Sequence, residues 1–395
     1  MMNDNADDDD SERRDRSRLR SRRGFLATSG AVTAGALAGC SDFLPGSSTS
    51  GSELSVGDFR GSGPMIEDRG APGGTSIEEL PDLSGELTMY LGGGESGLYL
   101  DLIDLLEQYY SDFTVNHQDG SASDLANRIS EENSAGSARA DLFMAVDAGS
   151  LGAVANDGAA VSLSDDLLDL VPDAYQDSEG RWIGFAGRAR AVPYNSNELS
   201  ASDVPSTVQD FPSTDAFGDS FGWAPSYSAF QSFITAMRLI NDDEATRQWL
   251  NSMQELGVST FNNEFMVSNR VADGEIAAGF ANHYYALRVL SSRSSSPIEL
   301  AFTEGDAGAL VNASGAQILS GTDKQDLAET FIRHVLSAEA QEFFATRTYA
   351  YPMIPEVDPV GDLPTIDELN PPDIELSELS DIGGTVDLLR EVGVL

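Results

Sequence analysis

The chain has 395 residues, with 23 lysine or arginine against 65 aspartate or glutamate, so its formal net charge at pH 7 is −42. Apolar residues make up 41% of it, enough to bury a core, which excludes a wholly disordered acidic chain. A surface this negative repels phosphate groups, which excludes nucleic acid as a partner. Lys324 is the only lysine. A lysine-poor acidic surface is typical of proteins kept soluble in very high salt, so we expect a halophilic archaeal host; an ordinary acidic extracellular protein is the alternative.

Few residues are available for metal or catalytic chemistry of the usual kinds. Cys40 is the only cysteine, and the only histidines are His117, His283 and His334. This composition excludes an intrachain disulfide and a cysteine-rich metal cluster, and it leaves little scope for a zinc site. The sequence contains no nucleophile elbow, no P-loop and no His-Glu-x-x-His motif. We therefore do not expect an enzyme.

The chain begins with a pattern typical of export. Arg22-Arg23 and Phe25-Leu26 precede an apolar run over 27–39, which is too short and too rich in glycine and alanine for a membrane-spanning helix. The run ends in Leu-Ala-Gly-Cys, so residues 1–39 resemble a twin-arginine lipoprotein signal peptide with a lipid attached to Cys40. An ordinary buried thiol is the alternative for Cys40. We expect an exported, cell-surface lipoprotein anchored to the outer face of the cytoplasmic membrane.

Residues 40–85 differ in composition from the rest of the chain. They are rich in glycine, serine, proline and aspartate and show no apolar periodicity. This composition predicts a flexible tether that holds a folded body off the membrane. The body is expected to begin near Glu86.

From Glu86 onward the apolar pattern alternates between strand-like and helix-like segments, which predicts an α/β architecture with largely parallel sheets. The predicted strands are 87–91, 113–115, 142–146, 182–185, 191–194, 221–224, 277–281 and 316–319. The predicted helices are 98–109, 122–129, 150–155, 229–239, 244–256, 285–290, 324–336 and 338–346. Two lobes of comparable size fit this length, with a ligand in the crevice at the carboxyl ends of their strands.

A glycine-rich loop follows the first predicted strand. Residues 92–97 match G-x-G-x-x-G between a strand and a helix, so a dinucleotide site has to be considered. The export pattern argues against a nicotinamide enzyme. We favour a plain strand-to-helix loop whose backbone N–H groups face a ligand.

Two adjacent tyrosines follow the apolar strand near residue 280. In a regular strand Tyr284 and Tyr285 would point to opposite faces, so both address one site only where the chain bends as the strand ends. Phenolates are hard anionic donors that suit a hard, highly charged cation. Half-buried packing is the alternative for such a pair.

Short stretches throughout the body match one known family in order and approximate spacing. They are 90–93, 140–143, 187–190 with 194–195, 225–230, 273–278, 282–285, 308–311 with 314–316, and 351–352. On these stretches the body resembles the periplasmic ferric-iron-binding branch of the extracellular solute-binding proteins of ABC importers. The resemblance implies the two-lobed type II periplasmic-binding-protein fold. Residues 86–190 and about 300–350 would form the first lobe, and about 191–299 and 351–395 the second, with the ligand cleft between them.

The resemblance also implies a ligand set for Fe³⁺. In the family the consecutive tyrosines bind the metal, which assigns this role to Tyr284 and Tyr285, with Asn282 supporting the cleft. The positions of the usual histidine and acid are occupied by Gly94 and Val146. Hard oxygen donors near these positions or elsewhere in the cleft are the candidate replacements: Glu95, Asp147, Tyr194 and Tyr227.

The family binds a synergistic anion beside the metal. Arg188 or Arg190, with the loop Ser226, Tyr227 and Ser228 at a helix start, could hold carbonate or phosphate. Surface ion pairing is the alternative for either arginine.

These inferences predict a binding protein that captures ferric iron and delivers it to an ABC permease and its ATPase. The protein is expected to act as a monomer. One competing hypothesis is a binding protein for a small organic solute or oxyanion, such as a polyamine, thiamine or a phosphonate. The other is a secreted dinucleotide-dependent oxidoreductase that uses the loop at 92–97.

Overall fold

The computed structural model describes residues 54–93 and 96–395. The predicted signal peptide, the lipid site at Cys40 and the candidate ligand Glu95 lie outside the described residues. Within the described part of the chain, no helix combines the length and the apolar character needed to cross a membrane.

Strands and helices alternate along most of the described chain. The strands are β1 (Gly85–Gly92), β2 (Phe113–Gly120), β3 (Leu142–Ala145), β4 (Ile183–Asn195), β5 (Phe221–Trp223), β6 (Ser259–Thr260), β7 (Ala278–Gly279), β8 (Ala281–Asn282), β9 (Ile298–Ala301), β10 (Val311–Ile318) and β11 (Tyr351–Pro352). The helices are α1 (Ser96–Tyr109), α2 (Ala122–Ser134), α3 (Ala148–Asn156), α4 (Asp165–Leu168), α5 (Ser228–Glu255), α6 (Glu264–Ala272), α7 (His283–Ser292), α8 (Gln325–Val335), α9 (Ala338–Phe343) and α10 (Ile382–Glu391).

The first lobe is built on a mixed sheet with the order β2-β1-β3-β10-β4. Strand β1 pairs in parallel with β2 and β3, and β10 runs antiparallel to β3 and β4. The carboxyl ends of β1 and β3 therefore meet at one edge, where the chain enters the loops before α1 and α3.

The second lobe repeats this plan on a smaller sheet. Strand β5 pairs in parallel with β6 and β7, while β7, β8 and β9 pair antiparallel with β4. The long strand β4 joins the lobes, since residues 183–189 pair within the first sheet and residues 190–195 within the second. Each sheet thus combines a parallel part (β2-β1-β3 and β7-β5-β6) with antiparallel pairing next to β4.

The later part of the predicted tether is packed onto the body. Phe59 and Ile77 are fully buried, although the apolar residues of this segment are too few to show a period. Arg69 Nε lies 2.9 Å from both carboxylate oxygens of Glu342, and the Ser76 hydroxyl donates to Glu339 at 2.7 Å. We call residues 54–84 the N-terminal strap. The folded body therefore begins about thirty residues before the predicted boundary, because isolated apolar anchors and ion pairs hold the strap in place.

The C-terminal segment is divided between the lobes, whereas the prediction gives all of 351–395 to the second. Strand β11 pairs with residues 186–187 of β4 in the first sheet. A 3₁₀ turn at Leu376–Ser380 packs against α3 of the first lobe, and α10 packs against α5 of the second.

Candidate functional site

The two adjacent tyrosines lie at the start of helix α7. Asn282 ends β8 with an extended backbone (φ −69°, ψ 141°), and the helix begins at the next residue. The predicted bend at the end of the strand is therefore present, and Tyr284 and Tyr285 occupy the first helical turn. Their side chains are 3% and 7% exposed, and their ring centroids are 4.3 Å apart.

A third tyrosine reaches the pair from another element. Tyr227 precedes α5 and is half-buried, and its hydroxyl is hydrogen-bonded to the hydroxyl of Tyr285. The hydroxyl of Tyr284 lies 3.5 Å from the side-chain amide nitrogen of Asn282. We call Tyr227, Tyr284 and Tyr285 the tyrosine cluster. It gathers three phenol oxygens from two helix starts of the second lobe.

The phenol of Tyr285 is protonated in the absence of a cation. Burial raises the pKa of Tyr285 far above its usual value, and the neighbouring phenols of Tyr284 and Tyr227 raise it further. The guanidinium of Arg288 lies over the rings of both pair members, 4.9 Å from the centroid of Tyr284 and 5.6 Å from that of Tyr285. A cation bound by Tyr285 must therefore displace the phenol proton, and Arg288 is placed to offset part of the negative charge that forms.

His283 faces backbone carbonyls. It is buried, with Nδ1 3.2 Å from the carbonyl oxygen of Ala189 and Nε2 2.7 Å from that of Tyr349. Tyr349 presents this carbonyl from a left-handed conformation (φ 60°), which is uncommon for a bulky residue. Burial lowers the pKa of His283 to about 4, so the imidazole is neutral at pH 7.

A buried ion pair lies beneath the start of α7. Glu264, the first residue of α6, accepts a hydrogen bond from the backbone N–H of Asn282 at 2.8 Å. Its other carboxylate oxygen pairs with Arg190 Nη1, and the side chains of Arg190 and Glu264 are 2% and 0% exposed. Strand β4, helix α6 and the start of α7 are thus joined through one carboxylate.

A cavity of about 550 Å³ lies beside the cluster. Its lining includes residues from the starts of α2, α3 and α5, as well as Arg188, Arg190 and Asn282. The tyrosine pair is not part of the lining. Because backbone N–H groups at helix starts favour anions, the cavity suits a negatively charged ligand.

Of the five predicted anion-binding residues, Arg188, Arg190 and Ser228 line this cavity, whereas Ser226 and Tyr227 are not part of the lining. Arg188 donates to the carbonyl of Val146, which bridges β4 to the loop before α3. Ser228, the first residue of α5, and Arg190 line the cavity. Ser226 is exposed in the loop before Tyr227.

Asp147 lines the same cavity, and its carboxylate is used locally. It is the N-cap residue of α3, where Oδ1 accepts from the Ser150 backbone N–H at 2.8 Å and Oδ2 from the Ser150 hydroxyl at 3.1 Å. The predicted ligand Asp147 therefore caps a helix in the first lobe.

Tyr194, another predicted ligand, lies apart from the cluster. Its hydroxyl donates to Glu299 at 2.6 Å across the pairing of β4 with β9. Burial and the Glu299 carboxylate raise the pKa of Tyr194 to about 12. The predicted strand 191–194 is part of β4, so Tyr194 lies on a strand as expected. Its hydroxyl, however, is hydrogen-bonded to Glu299 on the neighbouring strand β9.

Other classes of metal site find no support in the described ranges. Across residues 54–93 and 96–395, no group of three or more histidine, cysteine, aspartate or glutamate side chains could hold a metal ion. The phenol oxygens of the tyrosine cluster are hard donors of the kind that suits a highly charged cation.

Two functional residues were missed by sequence reasoning. Arg288 follows Tyr284 and Tyr285 by four and three residues, which is the spacing of neighbours on a helix surface, so a correct start for α7 would have identified it. Glu264 has no local signal, because its partners lie on β4 and at the start of α7.

The glycine-rich loop serves close packing at the positions that the structure describes. A Cβ on Gly92 would lie 2.8 Å from the Cα of Ala122, and a Cβ on Gly93, whose φ is 124°, would lie 2.3 Å from Val146. These glycines are required by the approach of α2 and the loop after β3, without any need for a dinucleotide.

The chain is similar to proteins of one transport class. Residues 101–370 match the family described as bacterial extracellular solute-binding protein. The Fe(3+)-binding periplasmic protein of Serratia marcescens is 28% identical over 289 residues, which cover 71% of this chain and 83% of that protein. Iron uptake protein A2 of Synechocystis sp. is 30% identical over 268 residues, which cover 62% of this chain and 74% of that protein.

Solved structures show the same fold. Iron-bound HitA from Pseudomonas aeruginosa aligns with a TM-score of 0.67 and 25% identity, over 78% of this chain and 99% of that one. The Trichodesmium protein solved with iron and citrate ligands aligns with a TM-score of 0.64 and 24% identity, over the same shares of the two chains. The predicted two-lobed periplasmic-binding-protein fold is confirmed.

Proposed function

The chain belongs to the bacterial extracellular solute-binding proteins, and from this membership we propose that it captures ferric iron outside the cell for an ABC importer. The family is one of solute-binding proteins, not of enzymes. Two relatives are named for ferric iron or iron uptake, which supports iron as the solute here. The single observation that carries the proposal is the tyrosine cluster.

The cluster has the chemistry that ferric iron requires. Its phenols become anionic oxygen donors when a cation displaces their protons, and such hard donors suit a trivalent cation better than a soft or imidazole-preferring one. Tyr284 and Tyr285 supply two donors from one helical turn, and Tyr227 supplies a third. Arg288 offsets part of the negative charge.

The remaining predicted ligands differ in their availability. Glu95 follows β1 in the sequence and stays a proposed carboxylate ligand from the first lobe. We leave Asp147 and Tyr194 out of the proposed set, because the Asp147 carboxylate caps α3 and the Tyr194 hydroxyl donates to Glu299. Iron bound by both lobes would favour the closed state, and opening would release it to the permease.

An anion is proposed to bind beside the metal. Arg190 is buried, and its Nε and Nη2 atoms have no hydrogen-bond partner among the described residues. Together with Arg188 and the start of α5 at Ser226–Ser228, it offers charge and N–H donors to carbonate or phosphate. The volume of about 550 Å³ also favours a second candidate function, binding of a small organic anion, because it exceeds the space that a metal with carbonate needs.

The cellular setting is proposed from the N-terminal sequence and the family. Export by the twin-arginine route, a lipid on Cys40 and a linker ahead of the N-terminal strap would keep the body at the outer face of the membrane. An ABC permease and its ATPase are the proposed partners of a monomer. The acidic, lysine-poor composition supports a halophilic host.

The test is metal analysis of protein purified in molar KCl, followed by titration with a weak ferric chelate. The proposal expects stoichiometric iron and an orange-red absorption band, because charge transfer from phenolate to iron needs tyrosinate ligands. Titration with Zn²⁺ is the control and should give no band. Protein that binds no ferric iron, but binds an organic anion in the cavity, would contradict iron capture and favour the second candidate function.

A further inference from the structure

We propose that Glu264 is a positioning residue for the metal site, holding the first turn of α7 so that Tyr284 and Tyr285 present their oxygens to one cation. This inference rests on the proposed function, since it concerns how the same tyrosines are aimed.

Glu264 contacts the backbone at the start of the helix that carries the tyrosine pair. One carboxylate oxygen accepts the backbone N–H of Asn282 at 2.8 Å, and the other pairs with Arg190. Asn282 is the N-cap residue of α7, yet its side chain makes no capping hydrogen bond. The backbone at the start of α7 is therefore fixed by the hydrogen bond to Glu264 and not by a side-chain cap.

The partner of Glu264 is itself held in place. Arg190 lies on β4, and its guanidinium carbon is 5.1 Å from the ring centroid of Phe233 and 5.6 Å from that of Phe230. Both carboxylate oxygens of Glu264 are thus engaged by groups on rigid elements, which fixes the side chain in one orientation.

Stability alone is a weak reason for this arrangement. A buried ion pair gains little over well-packed apolar residues, because both charges lose their hydration. The Glu264 carboxylate does, however, restrict the geometry of the start of α7, because one of its oxygens accepts from Asn282 while the other is fixed by Arg190. A shift of the backbone at Asn282 would move both phenols, which follow it by two and three residues in the chain.

The experiment compares two pairs of variants. Glu264→Asp keeps the charge but is one methylene too short to reach both partners, and Glu264→Gln keeps the length but loses the charge. The matched controls are Glu342→Asp and Glu342→Gln. Glu342 is also buried, with a side chain 2% exposed, and it pairs with Arg60 and Arg69 of the N-terminal strap.

Each variant is measured for apo Tm, ferric affinity and the position of the charge-transfer band in molar KCl. We expect the Glu264 variants to bind ferric iron about tenfold or more weakly, as is usual when an outer-shell partner is lost, with a shifted band. The Glu342 variants should lose a similar amount of Tm and keep both the affinity and the band of the parent.

The outcomes separate the inference from the proposed function. A parent protein without a ferric band contradicts iron capture itself. A normal parent whose Glu264 variants lose Tm but keep affinity and band overturns the positioning role. If Glu264→Gln does not fold, Glu264→Asp decides the matter, since it retains the buried negative charge beside Arg190.

Discussion

Helices α7 and α3 begin in the same way and use their polar groups differently. Each follows a short strand, and each lies at the crevice side of its lobe. At α3 the N-cap Asp147 gives both carboxylate oxygens to Ser150. At α7 the N-cap Asn282 makes no such bond, and its backbone N–H is taken by a distant carboxylate instead.

The difference separates a structural helix start from one that can bind a ligand. A carboxylate that already accepts two hydrogen bonds from its own helix is held in the orientation of the cap and keeps about half of its lone-pair sites. At α7 the helix start is anchored by Glu264 and His283, and the hydroxyls of the tyrosines contact one another and the side chain of Asn282. An acidic residue at a strand end is therefore a weaker indication of a metal ligand than its chemistry suggests.

The largest effect is expected when the hydroxyl groups of both tyrosines at the start of α7 are removed. The double variant Tyr284→Phe with Tyr285→Phe keeps the ring volume and removes two of the three phenol oxygens, so we expect loss of most of the ferric charge-transfer band. Apo stability should change little, because the rings still pack. Ferric titration followed by absorbance checks both, with Tyr175→Phe as the control, a buried tyrosine of the first lobe. A double variant that binds iron like the parent would make the pair packing residues.

A second prediction concerns the histidine that ties α7 to its surroundings. Burial lowers the pKa of His283 from 6.5 to about 4. Between these values the unfolded chain binds more protons than the folded one, so stability is full above pH 6.5 and falls as the pH is lowered towards 4. The loss should reach about 3 kcal/mol in the free energy of unfolding.

Urea unfolding of the apo protein at several pH values checks this prediction. Carboxylates titrate in the same range, so the quantity to compare is the difference in slope between the parent and His283→Gln. His283→Gln should lack the loss of stability that protonation of His283 causes between pH 6.5 and 4. Equal slopes would mean that His283 does not resist protonation in the folded state.

The third tyrosine gives a smaller expected effect. Tyr227→Phe leaves the pair intact but removes the phenol bonded to Tyr285. We expect ferric affinity to fall by about 10- to 100-fold, with a weaker and shifted band. Unchanged affinity and band in the same titration would restrict the donor set in the second lobe to the pair.

Local patterns were enough to predict most of the elements. The interruption between the predicted helices 229–239 and 244–256 corresponds to a kink in α5, where Asp242 has φ 72°. The strand end before the tyrosines was also predicted, because an apolar run followed by polar aromatic residues is a local signal. The helix that carries the pair begins two residues earlier than expected.

Features that depend on distant contacts could not be predicted. Tyr227 and Tyr285 are 58 residues apart in the chain, and no local pattern indicates that their hydroxyls meet. The N-terminal strap was assigned to the tether because Phe59 and Ile77 are isolated apolar residues, and only the tertiary structure shows that both are buried. Asp147 presents a different difficulty, because a helix cap and a metal ligand favour the same residue type, so its sequence position does not separate the two roles.

The smallest effect is expected at the start of α3. Asp147→Ala removes the acceptor for the Ser150 backbone N–H and should lower the free energy of unfolding by about 1 kcal/mol. Asp147→Asn keeps a capping oxygen and should cost only a few tenths of this. Urea unfolding in molar KCl measures both values, and the salt limits long-range contributions from the acidic surface.

Ferric titration of the same two variants sharpens the contrast with α7. A residue that only caps α3 affects stability in the Ala variant and leaves the affinity and the band unchanged in both. A ligand would show the reverse, since replacing a carboxylate with an amide removes an anionic donor even where the cap survives. Weaker iron binding by Asp147→Asn at unchanged stability would therefore return Asp147 to the metal site, and the two helix starts would then contribute from opposite lobes to one centre.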